Sequence, residues 1–274
     1  FSVFAVSAVM LWKLSTLVRL KLRFHSEIAR EMTAIGSSYA IVYFLMVMVY
    51  KSNVFLVQFF GGIEALGYYS LGSNLAELLW QIPAVMSAIV FTRSASSKDE
   101  VAFSKKVAVL ARLTFLVGVC GGIVAAVLAP IMVPFLYGDE FLPSADILVA
   151  LLPGAVAMVV FKILRQDLSG RGKPWAAIWI IVPMLMLTGI AGAILIPTYG
   201  AYGAAVSMST VYVLGTIGFM FQYARVCGIS ILDLVVYRRS DFTQLSREVG
   251  KRIRKARGRK QPVFRSSRAE PETI

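Results

Sequence analysis

The fold is decided by residues 34–92, which read AIGSSYAIVYFLMVMVYKSNVFLVQFFGGIEALGYYSLGSNLAELLWQIPAVMSAIVFT. Two long apolar runs, 34–60 and 68–92, flank a short gap that contains glycines and a single acid. A helix needs about 20 mostly apolar residues to cross the hydrocarbon core of a bilayer. The stretch therefore predicts two consecutive membrane-spanning helices joined by a tight turn.

The rest of the chain repeats this pattern. Its 274 residues are 58% hydrophobic with a mean hydropathy of +0.73, which is too apolar for an ordinary soluble domain. None of the apolar runs alternates as a strand does, and spanning backbone must satisfy its own hydrogen bonds, so helices are expected. Five more runs follow this description: 1–18, 107–135, 143–164, 174–196 and 200–223. The sequence predicts an all-α, polytopic transmembrane helix bundle of about seven spans.

The basic residues give the expected orientation. Of the 28 Lys and Arg residues, all except Lys51 can be placed on one side of the membrane. Positive charge collects in short cytoplasmic loops, so that side is expected to be the cytoplasm of a plasma (inner) membrane protein, with the C-terminus inside. The net charge of +13 then favours contact with anionic lipids over nucleic acid. Basic segments are 13–31, 93–106, 162–173 and 225 onward; segments without a base are 61–67, 136–146 and 197–199.

Lys51 and Glu77 are the two ionisable residues that the pattern places deep inside spans. Each lies nine residues from the outer end of its span, Phe60 or Tyr68, so both are expected about 13 Å below the outer rim. Because their helices are consecutive and antiparallel, a contact between them is expected. Ionisable groups in the bilayer are costly, and each suggests a functional role.

Polar residues accompany this pair. Asn74 and Gln81 share a helix face with Glu77 by α-helical spacing, and Tyr43 and Tyr50 share a face of the preceding helix. The set allows two interpretations: a buried pair that only holds two helices together, or the polar wall of a hydrated cavity that binds a charged or sugar-bearing substrate.

Arg93 and Arg165 lie at the inner ends of spans. They are candidates for the first contact with substrate, or for side chains that only reach the lipid headgroups. The single histidine, His25, is isolated in a basic segment, and no metal-ligand or nucleophile–base set is present in the sequence. We therefore expect a protein that is not an enzyme and that needs no cofactor or metal.

Four segments are dominated by small residues and turns: 67–77 with Pro83, 137–154, 168–174 and 196–205. They resemble the Wzx-type oligosaccharide flippases of the polysaccharide transporter family, within the larger superfamily of MATE exporters and lipid II flippases. Their order and spacing match the C-terminal half of such a transporter, whereas Lys51 stands where many relatives have an acid or Arg.

The resemblance implies a domain organisation and a function. Residues 1–18 would be the last span of an N-terminal bundle, 19–33 a basic cytoplasmic linker, 34–225 a six-helix bundle, and 226–274 a basic, partly disordered cytoplasmic tail. The substrate would be a polyprenyl-pyrophosphate-linked oligosaccharide, flipped by alternating access for polysaccharide or O-antigen assembly. A polysaccharide polymerase or glycosyltransferases would be partners. Lys51 would contact the pyrophosphate, and Asn74, Gln81 and the tyrosines the sugars.

Two other functions stay open on the sequence. A MATE-like exporter of small cations, coupled to protons or another cation, would need a mainly acidic cavity, but the central spans offer one acid and one base. A membrane scaffold that recruits glycosyltransferases through its basic tail would not depend on Lys51 or Glu77.

Overall fold

The computed structural model describes residues 9, 10, 13 and 26–236, and within these ranges the secondary structure is helical, without strands. Four of its helices are long and apolar enough to cross a membrane. The α-helices are α1 Ser26–Glu77, α2 Gln81–Ala95, α3 Glu100–Tyr137, α4 Leu142–Gly170, α5 Ile178–Cys227 and α6 Leu232–Val235. Three 3₁₀ turns connect them: Leu78–Trp80, Asp139–Phe141 and Pro174–Ala177.

The chain divides into two compact units, Phe1–Phe44 and Leu45–Ile274. The described part of the first unit is mainly the beginning of α1, where apolar side chains such as Met32 and Phe44 are exposed. The second unit contains the rest of α1 and all the other helices.

Helix α1 reverses direction at Gly62, whose φ of 80° and ψ of −175° are not helical. Lys51 and Glu77 are 26 positions apart along this helix, yet their charged atoms lie 3.4 Å from each other. In a straight helix they would be about 39 Å apart. Glycine adopts positive φ without the steric cost that other residues incur, so Gly62 allows the turn. The predicted gap at 61–67 is thus a helical hairpin.

Helix α5 reverses in the same way at Gly200, where φ is 58° and ψ is −140°. On the two arms that result, 178–199 and 201–227, Gly215 packs so closely on Met184 that a Cβ would overlap its side chain. The four long apolar helices, two of them hairpins, therefore give six antiparallel segments in the described chain. The predicted all-α membrane bundle is confirmed.

The two ends of the bundle differ in charge. The turns at Gly62, Gly138 and Gly200 lie at one end, together with Glu64, Glu140 and Asp146 and, among the described residues, no Lys or Arg; we call it the acidic end. The connections 96–99 and 171–173 lie at the opposite, basic end, where Lys173 and Glu100 form an ion pair 3.3 Å long. The alternation expected from the sequence is therefore present along the bundle axis.

Helix α4 forms the centre of the second unit. In its apolar window 72% of residues are buried, compared with 22–28% in the other three long helices. Close approach of its neighbours depends on small residues, as is typical of membrane helix packing. A Cβ on Gly154 of α4 would lie 2.6 Å from the Cα of Ser209 in α5, and one on Gly72 of α1 would lie 2.8 Å from Ile147.

Two local features differ from the regular spans expected. Helix α4 continues to Gly170, because the Arg171 and Lys173 amides still bond to carbonyls within its last turn. Lys162 and Arg165, expected at the inner end of the span 143–164, therefore lie inside the helix. The 3₁₀ turn Leu78–Trp80 advances by about 120° per residue, which rotates Gln81 about 60° beyond its α-helical position relative to Glu77.

Parts of the expected domain organisation lie outside the described residues. The predicted span 1–18 is described only at residues 9, 10 and 13, and the tail from 237 onward falls outside. Of the predicted linker 19–33, residues 26–33 are helical and belong to α1. The start of the tail, 226–236, contains α6, whose Leu234 is buried and whose Val236 carbonyl accepts a hydrogen bond from Arg112 in α3.

Candidate functional site

Lys51 and Glu77 form the expected ion pair between the two arms of α1. Lys51 Nζ lies 3.4 Å from Glu77 Oε1, and the two side chains are 46% and 32% exposed. An ion pair that is exposed halfway along an apolar bundle must face water or further protein, since lipid would leave it unsolvated. The predicted contact is therefore present, and its partial exposure leaves room for a ligand.

A second cation, Lys162 of α4, belongs to the same region. Its Nζ lies 3.9 Å from the ring centre of Trp80 and 4.9 Å from that of Tyr50. The negative charge of Glu77 attracts it. Among the described residues it forms no hydrogen bond or ion pair; it is held by the ring faces alone. Contacts of this kind contribute about 0.5–2 kcal/mol. Because no acceptor among the described residues bonds to it, the ammonium group can donate hydrogen bonds to a ligand.

Three aromatic residues fix the position of Lys162. The rings of Tyr50 and Trp80 are 5.1 Å apart, and Tyr212 of α5 packs on both at 6.1 and 6.0 Å. The Trp80 Nε1 donates to the carbonyl of Ala155 in α4 over 3.0 Å, which holds its ring in place. We call Lys51, Glu77, Lys162 and these three aromatic residues the central cluster.

The central cluster carries net positive charge. Lys51 and Lys162 face a single carboxylate, Glu77, and Arg165 lies one turn after Lys162 and repels it. Such a surplus of cations in an apolar bundle is costly unless water or an anion neutralises it. The arrangement can therefore bind a negatively charged group.

The other residues that the sequence nominated are distributed more widely. Tyr50 belongs to the central cluster and Arg165 is half-buried beside it, while Asn74 and Gln81 are exposed on the second arm of α1 and on α2. Arg93 is exposed at the end of α2. Tyr43 lies in the first unit, where its side chain is 67% exposed. Their roles in binding remain predictions.

Sequence reasoning missed a second polar group, at the basic end. The carboxylate of Asp167 in α4 is fully buried and accepts hydrogen bonds from Ser94 of α2 and, at 2.6 Å, from Tyr223 of α5. Arg171 pairs with it at 2.9 Å and donates to Ser104 of α3 at 2.7 Å. We call these five residues the basic-end network. It joins four of the six segments.

The charge state of this network is set by Arg171, which lies between spans. Its side chain is only 3% exposed. Burial alone would lower the pKa of Arg171, but the charge and hydrogen bond of the Asp167 carboxylate, with smaller contributions from Cys227 and Tyr223, raise the pKa above its ordinary value. The guanidinium therefore stays charged, as its pairing with Asp167 requires. The i, i+4 spacing of Asp167 and Arg171 was the available sequence signal. It was missed because the predicted span ended at residue 164, before both residues.

Comparison with known proteins identifies the family. The family model described as "Polysaccharide biosynthesis protein" matches residues 2–146, which is more than half of the chain. The chain belongs to this family. No solved structure matches it.

One curated relative of this polysaccharide biosynthesis protein is named "Putative O-antigen transporter" and comes from Shigella flexneri. The two are 28% identical over 190 residues, which cover 67% of this chain and 44% of the relative. The chain thus spans less than half the length of the relative. Together with the four long apolar helices, these matches identify a multi-pass membrane protein of the polysaccharide biosynthesis family and confirm the resemblance described above.

Proposed function

We propose that the chain is the C-terminal half of a flippase that moves polyprenyl-pyrophosphate-linked oligosaccharide from the cytoplasmic to the outer leaflet of the inner membrane, by alternating access. The single observation that carries this proposal is the net positive charge of the central cluster. A diphosphate cannot enter hydrocarbon without compensation of its charge. Lys51 and Lys162 supply that compensation between the two ends of the bundle.

The family and the named relative support a role in polysaccharide or O-antigen assembly. A MATE-like exporter of cations accounts less well for the site, since a cationic cargo would meet two lysines and only one carboxylate. A scaffold that recruits glycosyltransferases does not need these charges at all. In the flippase, those enzymes or a polymerase would be partners, the basic loops would contact anionic lipids, and the protein would carry out no covalent chemistry.

Replacing Lys51 with alanine in the full-length protein is expected to lower translocation of lipid-linked oligosaccharide by about tenfold or more, because a charge-assisted hydrogen bond contributes about 1.5–3 kcal/mol. The measurement is translocation in proteoliposomes, together with surface polysaccharide in cells at equal membrane abundance. Lys98→Ala, which removes an exposed charge between α2 and α3, is the control and should transport normally. Normal transport by Lys51→Ala would contradict the proposal.

Lys162→Met keeps the length of the side chain and removes its charge, and it should reduce translocation by about tenfold as well. Lys162→Arg, which keeps a cation over the Tyr50 and Trp80 rings, should retain most of the activity. Lys105→Met, on the exposed side of α3, is a matched control. An exporter would give another pattern: Glu77→Gln would abolish export of a cationic drug, and both lysine variants would still export it.

A further inference from the structure

A cleft lies at the acidic end, and its lining contains two carboxylates and two tyrosines among mainly apolar residues. It has a volume of about 700 Å³ and lies between the turn of α1, the start of α4 and the start of the second arm of α5. Binding sites for small organic ligands have volumes of about 300–1,000 Å³. Its polar lining comes from Glu64 and Tyr68 of α1, Asp146 of α4 and Tyr202 of α5.

A second, smaller cleft adjoins the first. It has a volume of about 490 Å³ and shares Glu64 and Tyr68 with it, while Glu140 and Phe141 form its far side. The Tyr68 hydroxyl donates to Glu64 over 2.8 Å, and the Tyr68 ring meets that of Phe141 edge to face at 6.0 Å. Two clefts with a common wall suit a ligand made of consecutive units better than a compact one.

The lining combines carboxylates with tyrosine rings and contains no Lys or Arg. Carboxylate oxygens accept hydrogen bonds from hydroxyl groups, and tyrosine supplies both an apolar face and a polar hydroxyl. Tyr202 is 50% exposed, so its ring is accessible. In the part of the chain that the structure describes, no group of three acidic, His or Cys side chains could hold a metal ion. The lining thus fits a ligand rich in hydroxyl groups rather than a cation.

The same charges would repel a diphosphate. Tyr68 lies nine residues before Glu77 on one arm of α1, so the cleft is about 13 Å from the central cluster along the bundle. One lipid-linked oligosaccharide could therefore place its diphosphate at the lysines and its sugars at the acidic end. Discrimination by repulsion is a common source of specificity.

From this geometry we infer that the acidic-end cleft binds the sugar part of the cargo, separately from the diphosphate. The inference rests on the proposed function for the identity of the cargo. It assigns Tyr202 as a ring that stacks on a sugar and Glu64 and Asp146 as acceptors for sugar hydroxyls. Because the cleft excludes anions, the sugars can be held there after the diphosphate has left the central cluster, which favours release at this end.

The test uses full-length protein in nanodiscs and, as probe, the reducing oligosaccharide released by mild acid from the lipid-linked intermediates of the producing cells. Binding is followed by saturation-transfer difference NMR. Tyr202→Ala should weaken binding about tenfold, a size expected for loss of an aromatic contact. Tyr199→Ala removes an exposed tyrosine three residues away that does not line the cleft, and it should bind normally. Glu64→Gln should also weaken binding.

The outcomes separate this inference from the proposed function. Sugar binding at the cleft is supported by three results together, whatever the transport assay shows. Lys51→Ala still binds the oligosaccharide, inorganic diphosphate does not displace it, and Tyr202→Ala binds it more weakly. Equal binding by the Tyr202 and Tyr199 variants overturns it. So does displacement of the sugar by diphosphate, or binding of calcium ions in place of sugar. If Lys51→Ala loses transport and the wild type does not bind the free oligosaccharide, the flippase proposal stands and the role of the cleft in sugar binding is wrong.

Discussion

Replacing Asp167 with alanine is expected to lower the free energy of unfolding by about 3–5 kcal/mol, the usual result of removing one partner from a buried ion pair. The loss is large because Arg171, whose side chain is 3% exposed, would remain charged without its main partner. Ser94 and Tyr223 would lose their acceptor at the same time. Helix α4 would lose its bonds in the basic-end network to α2 and α5 and would keep only the bond from Arg171 to Ser104 of α3.

The measurement is equilibrium unfolding of the full-length protein in mixed SDS micelles, followed by circular dichroism. Glu100→Gln is a suitable control, because Glu100 also pairs with Arg171 but its side chain is 54% exposed. Exposed pairs contribute about 0–1 kcal/mol, so this variant should unfold almost as the wild type does. The double variant Asp167→Leu, Arg171→Met should recover part of the loss, since an apolar pair leaves no buried charge.

A fall in stability no greater for Asp167→Ala than for Glu100→Gln would show that the basic-end network does not hold the segments together. A double variant less stable than Asp167→Ala would show that Arg171 is stabilised mainly by Ser104 and Glu100. Either result would require another explanation for the burial of Asp167.

The features that were predicted correctly depend on properties that can be measured along the sequence without knowing how the helices pack. The length of each apolar run predicted a membrane-spanning helix, and the distribution of Lys and Arg predicted which connections lie at the same end of the bundle. The contact of Lys51 with Glu77 followed because each lies nine residues from the end of its predicted span, 34–60 or 68–92, at the gap between the two spans. Neither the helices nor this contact depends on which helix lies at the centre of the bundle.

The features that it missed depend on tertiary packing. Lys162 was counted with the basic residues at the inner end of its span, but in the fold the rings of Tyr50 and Trp80 pack on its ammonium group. Asp167 falls in the basic segment 162–173, and nothing in the sequence indicates its hydrogen bond with Tyr223, 56 positions away. The shift of Gln81 arose from a 3₁₀ turn that apolar periodicity does not indicate.

Gly154→Ala is expected to destabilise the bundle by about 1–3 kcal/mol, although it adds a single methyl group. The new Cβ would lie 2.6 Å from the Cα and 2.9 Å from the carbonyl oxygen of Ser209, so backbone rather than a flexible side chain would have to move. Movement would also lengthen the hydrogen bond of 2.9 Å from the Gly154 amide to the Ser209 hydroxyl. Helices α4 and α5 would separate at the centre of the second unit.

The matched control is Gly189→Ala in the first arm of α5, where a Cβ would meet nothing within 4 Å. Alanine has a higher helix propensity than glycine, so this variant should be as stable as the wild type or up to about 1 kcal/mol more stable. Ser209→Ala separates the two causes, because it removes the hydrogen bond at a cost of about 1 kcal/mol and leaves the backbone contact intact. Unfolding in mixed micelles should therefore rank the variants with Gly154→Ala least stable, Ser209→Ala next and Gly189→Ala most stable. Equal stability of the two glycine variants would mean that α4 and α5 are packed more loosely than the contact of Gly154 with Ser209 implies.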